Sequence, residues 1–542
     1  MFETGAESIL VSSQVLKMHI YTTGISKYLI TGLFPFMFLH VNVKASLVLT
    51  PNNGNRISET YSPYVNDTVK PVSRNQNTFN HISGHRINLD TNDVEILDKN
   101  FAGNLSEGIK FRTISEKNGS VGRHRQDFIG FKEFLKKTFP LVHSTLKEEE
   151  VDSFSLLYTW KGQNPKLEPI LLIAHQDVVP IDSNSEIKWT EPPFSGIIKN
   201  GYINGRGSMD DKISVIGIME AVEDLIKNGY KPQRDIYIAF GHDEECSGTG
   251  AAAISAELRS RGIHFQYILD EGGGIIEGGI PYVNQPVAFI GIAEKGYLTL
   301  QLEVKTSGGT SSMPMDEGVV GILGKAIYRL QDRPFPTRLT APVRQMFREL
   351  GKYMPGINGF VAMHPGLFAG ILKNELSVYP ITNSLVQTTI APTMMSSGVQ
   401  ENMMPTSATM TVNFRILPGE TIQSVIARVK WIIHDKRIAI REIEAWNPSK
   451  VALIKSKSYK VLKHTIEDIF PKTGVAPSLN MSISDSRNYS KLSNAILHFA
   501  PIIMKPGDGD RIHGVNERIS VSNYKSSIVF YYHFILNSDI EL

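Results

Sequence analysis

The chain has 542 residues, 41% hydrophobic and 20% charged, with a net charge of +2 and a single cysteine, Cys246. This is globular composition with apolar mass for more than one core, so a largely disordered chain is excluded. The near-neutral balance argues against a nucleic-acid partner, and one cysteine excludes both an intramolecular disulfide and a cysteine-held zinc site.

The N-terminal region carries an apolar block, Tyr28 to Leu39, preceded by Lys27 and followed by "VNVKAS". It is shorter than the ~20 residues that cross a bilayer, and it fits the apolar part of a secretory signal, with Val43 and Ala45 before a cut. An uncleaved signal-anchor is the alternative. Asn-x-Ser/Thr sequons at Asn66, Asn104, Asn118, Asn480 and Asn488 agree with a secretory route to a secreted or lumenal glycoprotein. Residues 46–105, rich in Asn, Ser and Thr, are expected to be an exposed arm.

Beyond the arm, apolar strand-like runs alternate with helical ones. "PILLIAH" (169–175), "DIYIAFGHDE" (235–244) and "FQYILDEG" (265–272) read as strands. Residues 212–229 and 248–262 have helical spacing. Such alternation predicts βαβ units and a mainly parallel sheet, an α/β fold. The period then changes to strict alternation in "KGYLTLQLEVKT" (295–306) and "SATMTVNFRIL" (407–417), with a helical run at 420–436. That pattern predicts a smaller α+β domain inserted into the first. The expected division is 106–292 and 447–542 for the larger domain and 293–446 for the insert.

Carboxylates and imidazoles gather at the predicted strand ends. His175 and Asp177 end the first strand, Glu244 and Glu245 the second, and Asp270 the third. Asp210 lies in the Gly-rich "GRGSMDDK" before a helix, and His513 lies in the late "RIHGVNE". Ligands bind at the carboxyl edge of parallel strands. Taken singly these signals are bland: a strand-end histidine is ordinarily a core residue, "DDK" ordinarily starts a helix, and "DEE" is ordinarily a solvated turn. Their joint arrival at one edge of one sheet points to cations. Oxygen and imidazole donors without sulfur suit Zn²⁺, with Mn²⁺ or Co²⁺ as alternatives, and five ligands with one shared carboxylate suit a two-metal site. Cys246 beside this cluster lacks a base motif for a nucleophilic role. No His-Glu-x-x-His, Gly-x-Ser-x-Gly or complete P-loop pattern occurs.

"AHQDVVP", "GRGSMDDK", "GHDEECSGTGA", "LDEGG", "IAEKGYLTLQLEVKTSGGTSSMP" and "NFRILPG", in this order, resemble the M20 metallopeptidases in their carboxypeptidase S / N-fatty-acyl-amino-acid synthase/hydrolase branch. The resemblance runs from about residue 125 to the C-terminus. It implies a catalytic domain with an inserted lid/dimerisation domain, two Zn²⁺ per subunit and hydrolysis of an amide in N-acyl amino acids, with the reverse condensation also open. Short peptides are the alternative substrate. It further implies that His175 and Asp270 hold one zinc, Glu245 and His513 the other, and Asp210 bridges them. Glu244 is then the general base and Asp177 orients His175. Arg415 would hold the substrate carboxylate, with Asn402 near the substrate. An apolar Met/Phe-rich stretch, 335–372, suggests lipid or membrane-surface contact, and the lid suggests a homodimer. Two positions depart from the family. Thr310 in "GGTSS" stands where the family has His, which opens a metal-binding, non-catalytic alternative. "MSISDSRNY" stands where it has "GGTDSR", although Asp485 and Arg487 are kept at the substrate pocket.

Overall fold

The computed structural model describes residues 100–117, 120–246 and 248–539. The signal segment, most of the arm, and the sequons at Asn66 and Asn118 lie outside them. Its main element is a 10-stranded sheet. The strands run in the order Lys147–Val151, Ser155–Trp160, Ile236–Gly241, Ile170–His175, Tyr267–Asp270, Ile496–His498, Val287–Glu294, Gly274–Ile276 and Ile503–Met504. Gly474–Asn480 pairs with Val287–Glu294 off this path. The four strands from Ile236–Gly241 to Ile496–His498 are mutually parallel.

Helices cover both faces, which is why the central strands read as unbroken apolar runs. Every residue of Ile170–His175 is buried. Ile170, Leu172 and Ala174 join the core under the helices Lys212–Lys227 and Val521–Ser538. Leu171 and Ile173 point the other way, toward the helix Thr249–Ser260. The mainly parallel α/β sheet is as the sequence predicts.

The second sheet has four antiparallel strands in the order Thr389–Ser397, Ser407–Ile416, Gly296–Lys305 and Ala439–Trp446. Leu298, Leu300, Leu302 and Val304 alternate with half-exposed neighbours and pack on the helices Val319–Asp332 and Ile422–Ile433. The second helix starts with a reciprocal cap between Thr421 and Ser424.

Two stretches differ from expectation. Helix Phe101–Ile109 falls at the end of the expected arm, yet Leu105 and Ile109 are fully buried in the main core. Asn104 on the same helix is also buried, its amide donating to Glu220 at 2.7 Å, so this sequon is part of the interior. The helices between 341 and 386 pack on the main sheet, not on the small one. Val343, Phe347, Leu350, Leu372 and Leu376 share a core with Val287, Ala476 and Leu479.

Candidate metal centre

His175 ends its strand with its ring only 2% exposed. Nε2 meets Asp210 Oδ1 at 3.0 Å and Glu271 Oε1 at 3.5 Å. On the other side Nδ1 meets the Asp177 carbonyl at 3.0 Å and its carboxylate at 3.3 Å. Asp177 does more than orient this ring. Its two oxygens accept the backbone N–H groups of Glu244 and Glu245, both at 3.1 Å, and a hydroxyl from Ser115. One buried carboxylate therefore ties the end of the first strand to the acidic turn after the next.

Asp210 lies between the two imidazoles: its Oδ2 meets His513 Nε2 at 3.1 Å, and Glu245 Oε1 meets the same nitrogen at 3.1 Å. The loop that presents Asp210 is held from below by Glu517, which accepts N–H groups of Gly207, Met209 and Asp210 and pairs with Arg206 at 2.6 Å. Potential ligand atoms of His175, Asp210 and Glu245 lie within 4.8 Å of one another, as do those of His175, Asp211 and Glu271.

The acidic turn divides its work. Asp243 accepts the N–H groups of Thr249 and Gly250 and so closes the start of the helix Thr249–Ser260. Glu245 faces His513, and Glu244 is half-buried beside the site's other carboxylates.

Asp270 ends its strand beside the cluster but forms no ion pair with either imidazole among the described residues. Its oxygens accept the N–H groups of Glu271 and Ser486, both at 2.9 Å. The adjacent Glu271 is the carboxylate that reaches His175. Glu271 is the first residue past the strand Tyr267–Asp270, where the chain bends and its side chain meets the imidazole. Glu271, Glu517 and Ser115 were missed in the sequence. "LDEGG" contains the first but does not say which acid turns inward.

The electrostatics of the cluster favour bound cations. Asp177, Asp210, Asp211, Glu244, Glu245 and Glu271 gather around two imidazoles. Burial pushes Glu244 and Glu271 well above the usual carboxylate range, raises Glu245, and takes Asp211 to about 8. Burial opposes charge on His175, but Glu271, Asp177 and Asp210 outweigh it and hold the ring well above the ordinary histidine value. Hydrogen bonds to Asp210 and Glu245 take His513 up to about 10. Asp210 goes down: its burial cost is outweighed by hydrogen bonds from both rings. Divalent cations would neutralise this excess of carboxylates, so the donor set fits a two-metal site of oxygen and imidazole ligands.

Residues 171–537 match the family described as peptidase family M20/M25/M40. The chain belongs to this family. It is 40% identical over 450 residues to the probable carboxypeptidase S-like 2 of Dictyostelium discoideum, covering 82% of this chain and 86% of that protein. It is 39% identical over 417 residues to the human N-fatty-acyl-amino acid synthase/hydrolase PM20D1, covering 76% of this chain and 82% of that one. Among solved structures, the M20 family metallo-carboxypeptidase Sso-CP2 from Sulfolobus solfataricus aligns with a TM-score of 0.61 at 18% identity, over 81% of this chain and 99% of the other. That likeness shows the shared fold. The chain is thus an M20-type metallopeptidase or amidohydrolase.

In this M20 chain the residues expected at the substrate lie on or beside the smaller domain. Thr310 is exposed on the short pairing of Gly309–Thr310 with Met403–Met404, its hydroxyl 3.1 Å from that of Ser312. Asn402 is next to it, its carbonyl accepting the N–H of Ser311. Arg415 sits over the Tyr297 ring at 4.9 Å, Tyr297 stacks on Trp446 with centroids 4.5 Å apart, and Arg487 covers the far face of Trp446 at 5.0 Å. No hydrogen bond or ion pair among the described residues joins Arg415, Asn402 or Thr310 to the carboxylate–imidazole cluster. Among the described sequons, the Asn480 amide donates toward Glu294, and that of Asn488 toward carbonyls of Gly248 and Asp485. Cys246 is exposed, with Sγ near Ser115.

Proposed function

We propose that the chain hydrolyses the amide bond of N-acyl amino acids, N-fatty-acyl ones foremost, with two zinc ions per subunit, and condenses the products when both are abundant. The observation that carries this reading is Asp210 set between His175 and His513, with Glu245 and Glu271 flanking it and Glu244 half-buried beside it. His175, Asp210 and Glu271 would hold one ion and Asp210, Glu245 and His513 the other. Asp270, expected in the first of these sets, accepts two backbone N–H groups and keeps further lone pairs that could join Glu271 on that ion. Donors of oxygen and imidazole nitrogen suit zinc. Bound there, the cations supply the positive charge that makes water acidic near neutral pH and polarises a carbonyl.

The chain's own residues do the rest. Asp177 fixes the His175 ring and the Glu244–Glu245 backbone together. Glu244 takes a proton from the attacking water, whose oxygen ends on the acyl carbon. It returns the proton to the leaving nitrogen as the C–N bond breaks. Arg415, a planar fork on the smaller domain, binds the carboxylate of the amino acid. Asn402 and the Thr310 hydroxyl are the polar groups that domain brings to the acyl end.

The names of the relatives support both a fatty-acyl and a carboxypeptidase reading. Exposed Ile357 and Phe360 on the helix Gly356–Met363, Ile371 on the helix Ala369–Leu376 and Leu367 in the turn between them favour the fatty-acyl one, as a surface for acyl chains or a lipid layer. The edge strand Thr389–Ser397, mostly exposed, suits pairing with a second copy. A secretory route rests on the apolar block at 28–39. Among the described residues no helix is long and apolar enough to cross a membrane.

The zinc-loaded chain is expected to release oleate from N-oleoyl-Phe faster than Leu from Cbz-Gly-Leu. Cleavage of the peptide alone would leave the carboxypeptidase reading. Cleavage of neither, by wild type or Thr310→His with both ions bound, would make the chain a metal-binding carrier.

A further inference from the structure

We propose that the junction between the two domains contains a second binding site, separate from the metal centre, for a small multivalent oxyanion. The backbone passes from the large sheet to the small one at Glu294–Lys295 and leaves the small sheet after Trp446. Both passages, together with the segment from Arg487 to Asn494, wall a cavity of about 480 Å³. None of the residues around His175 and His513 lines it.

The lining is strongly one-signed. Lys295, Lys450, Arg487 and Lys491 line it together with one carboxylate, Glu294. That carboxylate is committed elsewhere: it accepts from the Ser484 hydroxyl at 2.8 Å, and burial raises its pKa toward the neutral form. Lys450 and Lys491 are exposed, and neither forms an ion pair with a carboxylate among the described residues. Lys450 reaches only the Asn494 side-chain carbonyl, at 3.3 Å. Lys295 is 1% exposed and is held by the carbonyls of Ser384 and Gln387, both at 2.8 Å. Burial lowers the Lys295 pKa to about 7, so the charge beside the cavity comes from Lys450, Lys491 and Arg487, and a shared anion relieves their repulsion.

A second observation points the same way. Trp446 lines the cavity, and its indole N–H is buried with no acceptor among the described residues. A buried donor left unpaired is costly, and an oxyanion supplies an acceptor. Two exposed ammonium groups, a guanidinium and an N–H donor along one cavity are together the chemistry of sulfate, phosphate or polycarboxylate recognition. An anion seated here touches both interdomain connections, so its binding is coupled to how the smaller domain is held.

Calorimetric titration of the zinc-loaded enzyme with sodium sulfate, against sodium chloride of equal ionic strength, tests this. Wild type is expected to bind sulfate saturably. The double variant K450E/K491E is expected to bind at least ~10-fold more weakly, while its melting temperature without sulfate and its turnover stay as in wild type. Sulfate affinity unchanged in the double variant would assign binding to the zinc ions and overturn the proposal, as would no saturable binding by wild type. If the double variant does not fold, Lys450→Ala and Lys491→Ala singly carry the same expectation with smaller losses, and undiminished affinity in both would overturn it equally.

Discussion

Three consecutive acids, Asp243, Glu244 and Glu245, have three different partners: a helix start, a half-buried pocket and an imidazole. Their roles separate by substitution. Glu244→Gln is expected to lower kcat by ~10³-fold, within the range for removal of a general base, with metal content per chain unchanged by elemental analysis. Glu271→Ala is expected to lose one equivalent of metal, whereas Asp270→Asn keeps both; the reverse outcome would restore Asp270 to the ligand set. Asp485 offers a pH test. Neither of its oxygens has a hydrogen-bond partner among the described residues, and burial takes its pKa up to about 8. Its folded pKa is above the unfolded value of 3.8, so the folded state retains a proton the unfolded chain gives up. Stability from this group is full below pH 3.8 and is lost as pH rises toward about 8. Asp485→Asn is therefore expected to melt close to wild type near pH 4 and progressively higher than wild type up to pH 8, in parallel melting curves.

The strands and helices that carry the site were legible because each has one dominant period. A strand buried on both faces is apolar throughout, and one buried on a single face alternates, as Ile170–His175 and Gly296–Lys305 do. Helix Phe101–Ile109 was not legible. Its nine residues include polar Asn104 and Ser106, and what makes it interior is a partner 116 positions away, Glu220. Lys212 anchors the same region by donating to the Gly108 and Phe111 carbonyls. Leu105→Ala is expected to destabilise the fold by ~2–4 kcal/mol, the usual cost of emptying a fully buried leucine site, by denaturant unfolding. A cost below ~1 kcal/mol would mean that the helix is peripheral after all. The helices between 341 and 386 show the same limit. Their apolar faces were visible, but not that the large sheet covers them.

At the scale of the molecule, two sheets with separate cores meet beside a centre where carboxylates outnumber imidazoles. The fold brings like charges together, and bound cations stabilise it by mass action, about 4 kcal/mol when free metal is ~1,000 times Kd. Chelation is accordingly expected to lower the melting temperature by several degrees and zinc to restore it. An unchanged melt after complete metal removal would contradict a cluster built around cations.

The sequence by itself determined the α/β class, the smaller alternating sheet and the convergence of His175, Asp177, Asp210, Glu245 and His513, because strand ends and the loops after them are set by local period and chain order. Tertiary structure alone decided that Glu271 and not Asp270 turns to His175, that Asn104 is interior, that Glu517 supports the Asp210 loop, and that Arg487 stacks on Trp446 at the domain junction. Each depends on which way a side chain points and on what distant residue meets it, and periodicity along one chain holds no record of either.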